Sequence, residues 1–165
     1  WIYDLIDQDD WQPTRYDIIE NGAKFGVIIH RLMTRYKAES WTKIVVGELN
    51  SLLAETNAWK AASKSGIEVG ESPIQPQADV IIVDSNGKNV ANAVKQMLPM
   101  LAKGGVLFTL EPLVPAGDVD EDDEAGMAVV EGFNSWINLI QSTNETHYIA
   151  FNPLFGGTLV AFLEK

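Results

Sequence analysis

The feature of this sequence that most constrains its fold is an alternation of short apolar runs with amphipathic segments. Continuous β-branched runs such as ADVIIVD, residues 78–84, are typical of strands buried on both faces of a parallel sheet. The predicted strands are 16–20, 43–49, 67–71, 78–84 and 106–112, and the predicted helices are 26–37, 50–65, 88–103 and 125–143. This order predicts an α/β fold with a doubly wound, mostly parallel sheet covered by helices on both faces.

The C-terminal sequence predicts one departure from parallel pairing. Residues 146–165 have two strand-like runs around a turn at 153–157, which indicates an antiparallel hairpin at one edge of the sheet. We expect residues 1–165 to form a single domain, with an N-terminal arm at 1–15 and an acidic loop at 114–125. Six acids in the seven residues 118–124 predict a solvated loop, and cation binding is the alternative, although the spacing does not fit an EF-hand.

Charge and composition exclude several classes of function. The net charge of −11 disfavours nucleic-acid binding, which normally needs a basic face, and docking on anionic membranes. No apolar run approaches the roughly 18 residues of a membrane span. The absence of cysteine excludes disulfides, thiol catalysis and cysteine metal sites. The chain begins at Trp1 rather than Met, so the compartment is left open; a soluble protein of an intracellular or organellar compartment is expected.

Acidic residues follow every predicted strand at the edge where ligands of open parallel sheets bind. These residues are Glu20, Glu48, Glu71, Asp84 and Glu111. Together they would form a negative rim suited to a cation, to ribose hydroxyls or to an adenine amino group. Gly22 and Gly26 would let a ligand approach the backbone and would open the first helix with free N–H groups. The alternative is that these glycines serve only a tight strand-to-helix turn.

Residues 20–26, Glu-Asn-Gly-Ala-Lys-Phe-Gly, lack the G-x-G-x-x-G spacing of dinucleotide-binding turns, which ranks a nucleotide- or NAD-binding domain last. They resemble motif I of the class I S-adenosylmethionine-dependent methyltransferases, often E-x-G-x-x-x-G in small-molecule O-methyltransferases. Other segments resemble that family in order: 70–72 its loop near the adenine, 78–84 its fourth strand, 98–108 its lead into strand five and 152–165 its closing hairpin. The catechol and caffeoyl-CoA types look most similar.

The resemblance implies a Rossmann-like fold that binds S-adenosylmethionine and transfers its methyl group to a hydroxyl of a small molecule. By similarity, the cofactor site would contain Glu20, Gly22, Gly26, Glu48, Glu71 and Asp84, with Glu48 at the ribose hydroxyls. The catechol-like branch also binds a divalent metal, for which Mg²⁺ is the expected ion. Asp84 and Glu111 would be its ligands, and Asp84 and Lys88 would be the catalytic residues.

Several positions depart from the family pattern. Glu111-Pro112 replaces an Asp-Asn pair of the metal site, and Gly87 stands where the catechol-like branch has its catalytic lysine, with Lys88 one residue later. About 15 residues precede the first strand, too few for the family's N-terminal lid. These departures support the alternative of a catalytically inactive methyltransferase-like domain that serves as a structural or assembly subunit. Its partner would then be a protein or a second copy of the chain instead of a small-molecule acceptor.

Overall fold

The computed structural model describes residues 12–85, 87–120 and 122–165. Most of the N-terminal arm predicted at 1–15 therefore lies outside the described residues. The chain divides into two compact units, Trp1–Pro76 and Gln77–Lys165. The expectation that they form one domain stays a prediction.

The first unit contains a β-α-β arrangement followed by a second helix. Its elements are β1 (Tyr16–Glu20), α1 (Ala23–Arg35), β2 (Thr42–Val46) and α2 (Leu49–Lys64). The two strands pair in parallel without a register shift, from Tyr16 opposite Thr42 to Glu20 opposite Val46. Met33, Ala38 and Trp41 form a buried cluster, and Tyr16, Ile29, Tyr36 and Ile44 pack against it. The apolar positions of α1 and the strands thus meet in one small core.

Both helices of the first unit end in the same backbone motif. At the end of α2, Gly66 has a φ of +75°, and Ile67 N–H donates to the carbonyl of Ala62 at 3.1 Å. At the end of α1, Lys37 has a φ of +53°, and Ala38 N–H donates to the carbonyl of Met33 at 2.9 Å. Both are Schellman ends, in which the left-handed residue is usually glycine. The predicted stop at Gly66 is confirmed, whereas Lys37 gave no such signal in the sequence.

The second unit is a four-stranded mixed sheet with two helices. Its elements are β3 (Ala78–Val83), α3 (Val90–Met97), a 3₁₀ turn (Leu98–Met100), β4 (Leu101–Leu110), α4 (Glu124–Thr143), β5 (His147–Leu154) and β6 (Gly157–Glu164). The strand order is β3-β4-β6-β5, with β3 and β4 parallel and β6 antiparallel to both of its neighbours. The predicted hairpin is confirmed, but its antiparallel strand β6 lies inside the sheet, and β5 forms the edge.

The core of the second unit contains buried residues of α3, α4 and the sheet. Trp136 of α4 and Phe162 of β6 are fully buried and meet edge-to-face, with ring centroids 6.0 Å apart. Leu107 of β4 and Val160 of β6 are also fully buried.

Helix α4 has an acidic N-cap. Asp123 occupies this position, and its carboxylate accepts a hydrogen bond from the N–H of Gly126 at 3.0 Å. The acidic stretch therefore contains the residue that caps α4, which the polar pattern of that stretch did not reveal.

Two predicted elements are wrong. Residues 67–71 form no strand; the carbonyl of Gly70 accepts instead from Trp59 Nε1 at 2.6 Å, and Ile67 is 60% exposed. The helix predicted at 88–103 ends at Met97, and residues 101–103 already belong to β4. Pro99 lies in the 3₁₀ turn that separates the two elements. Within the described residues, no helix has both the length and the apolar character needed to cross a membrane.

Candidate functional site

The carboxyl ends of β1 and β2 meet at one edge of the first unit. Glu20 lies opposite Val46 in the register of the two strands. The N–H of Gly47 donates to the carbonyl of Glu20 at 2.9 Å, which continues the pairing by one residue. Glu48 follows directly. The structure therefore brings two of the predicted site residues, Glu20 and Glu48, to the edge where open parallel sheets bind ligands.

Gly22 occupies the N-cap of α1 and has open space around it. Its φ of −125° and ψ of 128° are extended values that any residue adopts. A Cβ added at this position would meet no atom within 4 Å. Neither a left-handed backbone nor crowding requires a glycine here, although glycine is one of the residues favoured at an N-cap. The first N–H groups of α1 have no intrahelical acceptor, and no side chain caps them from position 22, so this end of the helix offers hydrogen-bond donors.

Gly26 has a different environment, one turn into α1. It is buried, and a Cβ added there would lie 3.5 Å from Cγ2 of Val46 and 3.9 Å from Cγ2 of Ile44. Both neighbours belong to β2. The small residue thus lies where α1 packs against β2, and its surroundings favour a packing role.

Glu48 is the N-cap residue of α2, and Glu20 is the last residue of β1. The Glu48 side chain makes no capping hydrogen bond and is exposed. Glu20 is half-buried. A carboxylate accepts hydrogen bonds only, so these two side chains match a ligand that presents hydroxyl donors or a positive charge.

Glu71 lies apart from this edge. It follows the coil at 67–70 rather than a strand, and it is exposed. Its charge helps to raise the pKa of Arg15, the residue immediately before β1. Glu20 is the last residue of β1 and lies about 16 Å from Arg15 along the strand, at a rise of about 3.3 Å per residue. The charge of Glu71 therefore acts near the amino end of β1, whereas Glu20 and Glu48 lie at the carboxyl ends.

Arg15 and Asp17 are an ion pair that the sequence analysis missed. Arg15 Nε and Nη2 donate to the two carboxylate oxygens of Asp17 at 2.7 and 3.0 Å. This hydrogen bonding raises the pKa of Arg15, burial opposes the rise, and the charges of Asp17 and Glu71 add to it. Asp17 also accepts from the backbone N–H of Gln75 at 2.6 Å, which ties the segment after Glu71 to β1. The available signal was the acid Asp17 between Tyr16 and the apolar pair Ile18-Ile19.

Asp84 and Glu111 follow neighbouring strands of the second unit. Val83 lies opposite Thr109 in the parallel register of β3 and β4, and Thr109 Oγ1 donates to the carbonyl of Val83 at 2.9 Å. The N–H of Glu111 donates to the carbonyl of Thr158 of β6 at 2.9 Å. Asp84 is exposed and Glu111 half-buried. The two predicted metal ligands therefore lie at one edge of this sheet.

The donor set for a metal is small. No group of three or more His, Asp or Glu side chains that could hold a metal ion occurs in the part of the chain that the structure describes. Mg²⁺ commonly takes one or two carboxylates from a protein and keeps water or substrate as its other ligands. Two carboxylates at neighbouring strand ends fit that ion, and they do not fit a cage built from protein ligands alone.

Lys88 has the environment of a surface residue. Its Nζ lies 4.0 Å from Oε2 of Glu131, and both side chains are 65% exposed. A lysine that acts as a general base is normally buried. The loop before α3 is nevertheless held closely, because a Cβ at Gly132 of α4 would lie 3.0 Å from the carbonyl oxygen of Gly87 and 3.1 Å from Cα of Lys88.

Comparison with known sequences gives no match, either to a protein-family model or to a curated protein. Comparison with solved structures gives many matches. An O-methyltransferase from Bacillus cereus, solved with SAH, is 16% identical at a TM-score of 0.57, and the match covers 91% of this chain and 63% of that one. An O-methyltransferase from Streptomyces achromogenes involved in tomaymycin synthesis, solved with SAM, is 16% identical at a TM-score of 0.62, covering 92% and 62%.

A third match is a Staphylococcus aureus protein proposed to be a caffeoyl-CoA O-methyltransferase. It is 12% identical at a TM-score of 0.60, and the match covers 90% of this chain and 64% of that one. The chain thus spans about three fifths of the length of each of these three structures. These likenesses confirm the expected resemblance at the level of the fold: the chain has the Rossmann-like α/β fold of the class I O-methyltransferases.

Proposed function

We propose that this chain binds S-adenosylmethionine and transfers its methyl group to a hydroxyl of a small molecule. The observation that carries the proposal is the edge formed by Glu20, Gly22 and Glu48. There, an N-cap glycine that needs no left-handed backbone and has no atom within 4 Å of an added Cβ opens α1 at the edge where Glu20 and Glu48 lie. The fold, shared with O-methyltransferases solved with SAM or SAH, supports the same reading.

Each residue of this edge has a distinct role in the proposal. Glu48 accepts hydrogen bonds from the ribose hydroxyls, and Glu20 adds negative charge that favours a cationic ligand. Gly22 lets the ligand approach the backbone, and the N–H groups of α1 donate to it. The cofactor, when bound, supplies an electrophilic methyl group, so the chain has mainly to position the reactants. Contacts of Gly26, Glu71 and Asp84 with the cofactor stay predictions.

We further propose that Asp84 and Glu111 hold Mg²⁺ for the acceptor. Their position after neighbouring strands gives the two oxygen ligands that this ion commonly takes from proteins. The bound ion would supply Lewis acidity and a template for two acceptor oxygens. The catalytic role of Lys88 is not part of this proposal, because its exposure and its pairing with Glu131 match a surface lysine.

Calorimetric titration with S-adenosylmethionine tests the cofactor site. We expect binding in the micromolar range, about −8 kcal/mol, and loss of most of that affinity in Glu48→Ala. Glu55→Ala is the matched control, because Glu55 is an exposed glutamate within α2 and away from its N-terminus. Absence of heat and of any thermal shift at millimolar ligand would refute the cofactor site. Equal losses of affinity in Glu48→Ala and Glu55→Ala would show that binding depends on the overall negative charge of the protein and not on the position of Glu48.

Titration with Mg²⁺ tests the second edge separately. We expect Asp84→Asn and Glu111→Gln each to weaken Mg²⁺ binding roughly tenfold or more, since each removes one of two charged ligands. Glu145→Gln, at an exposed acid between α4 and β5, should leave it unchanged. Mg²⁺ binding that is insensitive to both site variants would rule out these ligands while leaving the cofactor proposal intact.

A catalytically inactive domain in a larger assembly is the second candidate function. The exposure of Lys88 favours it, because a lysine that acts as a general base is normally buried. It predicts neither cofactor binding nor methyl transfer. S-adenosylmethionine binding that Glu48→Ala abolishes would therefore count against it.

A further inference from the structure

The turn between β1 and α1 consists of two residues, Asn21 and Gly22. Strand β1 ends at Glu20, and helix α1 begins at Ala23. Both residues of the turn are exposed. Asparagine is a thermolabile residue. It is least protected before a glycine, because no Cβ of the next residue hinders the approach of the next backbone nitrogen to the side-chain amide carbon.

The surroundings of Gly22 leave its backbone nitrogen accessible. A Cβ added at this position would meet no atom within 4 Å, so the space around the residue is open. The carbonyl of Gly22 accepts from the N–H of Gly26 at 3.4 Å. Its own N–H donates to no other residue in the described parts of the chain, and the side-chain amide of Asn21 has no partner there either. No hydrogen bond to a described residue therefore holds these two groups apart.

We propose that Asn21 deamidates spontaneously by cyclising with the backbone nitrogen of Gly22. This nitrogen attacks Cγ of Asn21 and forms a new C–N bond. The bond from Cγ to Nδ2 breaks, the proton of the Gly22 N–H passes to the leaving nitrogen through water, and ammonia departs. Water then opens the resulting succinimide ring at either of its carbonyls. The products are aspartate and isoaspartate, and the only co-reactant is water.

Asparagines within the helices lack these conditions. Asn92 of α3 is followed by Ala93, whose N–H donates to the carbonyl of Asn89 at 3.0 Å. Attack by that nitrogen would break a helix hydrogen bond and would have to pass a methyl group. Among the described asparagines, Asn21 alone precedes a glycine. The sequence contains a second Asn-Gly pair at 86–87, and Asn86 lies outside the described residues.

Each product changes the edge at which Glu20 and Glu48 lie. Aspartate adds a carboxylate next to Glu20. Isoaspartate adds one carbon to the main chain between β1 and α1, because the peptide bond to Gly22 then runs through the side chain of residue 21. The modification itself is independent of the proposed function, whereas its effect on the cofactor rests on that function. We expect the isoaspartate form to bind S-adenosylmethionine roughly tenfold more weakly, because the N–H donors of α1 are displaced from Glu48.

Peptide mapping of the full chain after incubation at mildly alkaline pH tests the proposal. The Asn86→Gln background removes the other Asn-Gly pair. In it, we expect the peptide that contains residue 21 to gain about 1 Da as water replaces ammonia, and the peptide that contains Asn92 to keep its mass. Gly22→Ala in the same background should slow the gain at residue 21 roughly tenfold, because the methyl group hinders the attack. Circular dichroism checks that this variant is folded.

Two outcomes of the mapping would overturn the proposal. One is an unchanged mass at residue 21 while a synthetic peptide of residues 16–28 is converted under the same conditions. The other is a gain that Gly22→Ala leaves as fast, which would indicate direct hydrolysis of the amide.

Calorimetry with S-adenosylmethionine then tests the effect on the cofactor edge. Ion exchange separates the aged chain from the fresh chain, and Asn21→Asp supplies the aspartate product alone. Fresh chain that does not bind would refute the proposed function and leave the modification standing. Equal affinities of the fresh chain, the aged chain and Asn21→Asp would refute the effect on the cofactor.

Discussion

At the scale of single residues, the glycines of this chain differ in what their positions require. Gly66 supplies a left-handed φ at a helix end. Gly26 and Gly132 allow a helix to approach other parts of the chain closely. Gly22 has neither property, because its backbone is extended and its surroundings are open. Gly22 shares this with Gly70 and Gly157, and it differs from them in its place at the N-cap of α1, at the edge where Glu20 and Glu48 lie.

Gly22→Ala should therefore separate stability from binding. We expect the free energy of unfolding to fall by about 1 kcal/mol at most, because alanine is a poorer N-cap residue than glycine, whereas the added methyl group meets no atom and needs no strained backbone. We expect the affinity for S-adenosylmethionine to fall roughly tenfold, because the methyl group takes up space that a closely bound ligand needs. Urea unfolding and calorimetry measure the two effects. Unchanged affinity would remove Gly22 from the proposed site.

The two Schellman ends allow a matched test of left-handed backbone. Lys37→Gly should raise the free energy of unfolding by about 1 kcal/mol, because a non-glycine residue is strained at its φ of +53°. Gly66→Ala should lower it by a similar amount for the same reason, at a φ of +75°. Chemical unfolding of both variants beside Glu39→Gly, a change in the following loop, is the measurement. Equal effects of Lys37→Gly and Glu39→Gly would contradict the strain argument.

At the scale of elements, the sequence predicted what depends on local pattern. Helix α2 with its stop at Gly66, the helix α4 and the C-terminal hairpin follow from apolar spacing and turn residues. The strand predicted at 67–71 failed because its apolar pattern cannot tell whether a neighbouring strand is present. Trp59, eleven residues before Gly70, takes the hydrogen bond that a strand would need. Strand β4 begins at Leu101, before the predicted start at 106, because Leu101 pairs with Ala78 of β3.

Gly132→Ala tests how closely α4 packs on the loop before α3. The added Cβ would lie 3.0 Å from a carbonyl oxygen and 3.1 Å from Cα of Lys88, and both are backbone atoms. Because backbone must shift to relieve this contact, we expect a loss of about 1–3 kcal/mol in the free energy of unfolding. Gly157→Ala is the control, since nothing lies within 4 Å of its added Cβ. Similar losses in the two variants would contradict close packing as the cause.

At the scale of the whole molecule, the candidate site was predictable to the extent that its residues follow real strands. Glu20 and Glu48 end or follow β1 and β2, and the structure brings them to one edge. Asp84 and Glu111 do the same for β3 and β4. Glu71 was assigned to a strand that does not form, so its position could not be inferred from pattern. The pairing of Arg15 with Asp17 was not predicted, because Asp17 also binds the backbone of the loop at Gln75. A contact with a loop distant in sequence leaves no periodic pattern of apolar residues.

The prediction of a single domain can be tested by unfolding. Asp17→Ala removes the ion pair with Arg15 and the bond to Gln75 N–H in the first unit, and should cost about 1–3 kcal/mol. Gly132→Ala acts in the second unit. If residues 1–165 form one cooperative domain, calorimetry should show one transition that both variants shift. Two transitions, each shifted by only one variant, would show two independently folding units.

The position of β6 also has a consequence for synthesis on the ribosome. Residues 157–164 are made after every other strand of their sheet, yet they lie between β4 and β5. Until they emerge, β4 and β5 have no shared neighbour, and the last strand made is the one that joins them. A ribosome paused after β5 would therefore hold a chain whose largest sheet is still open along two strands, the state in which nascent chains most need protection from association.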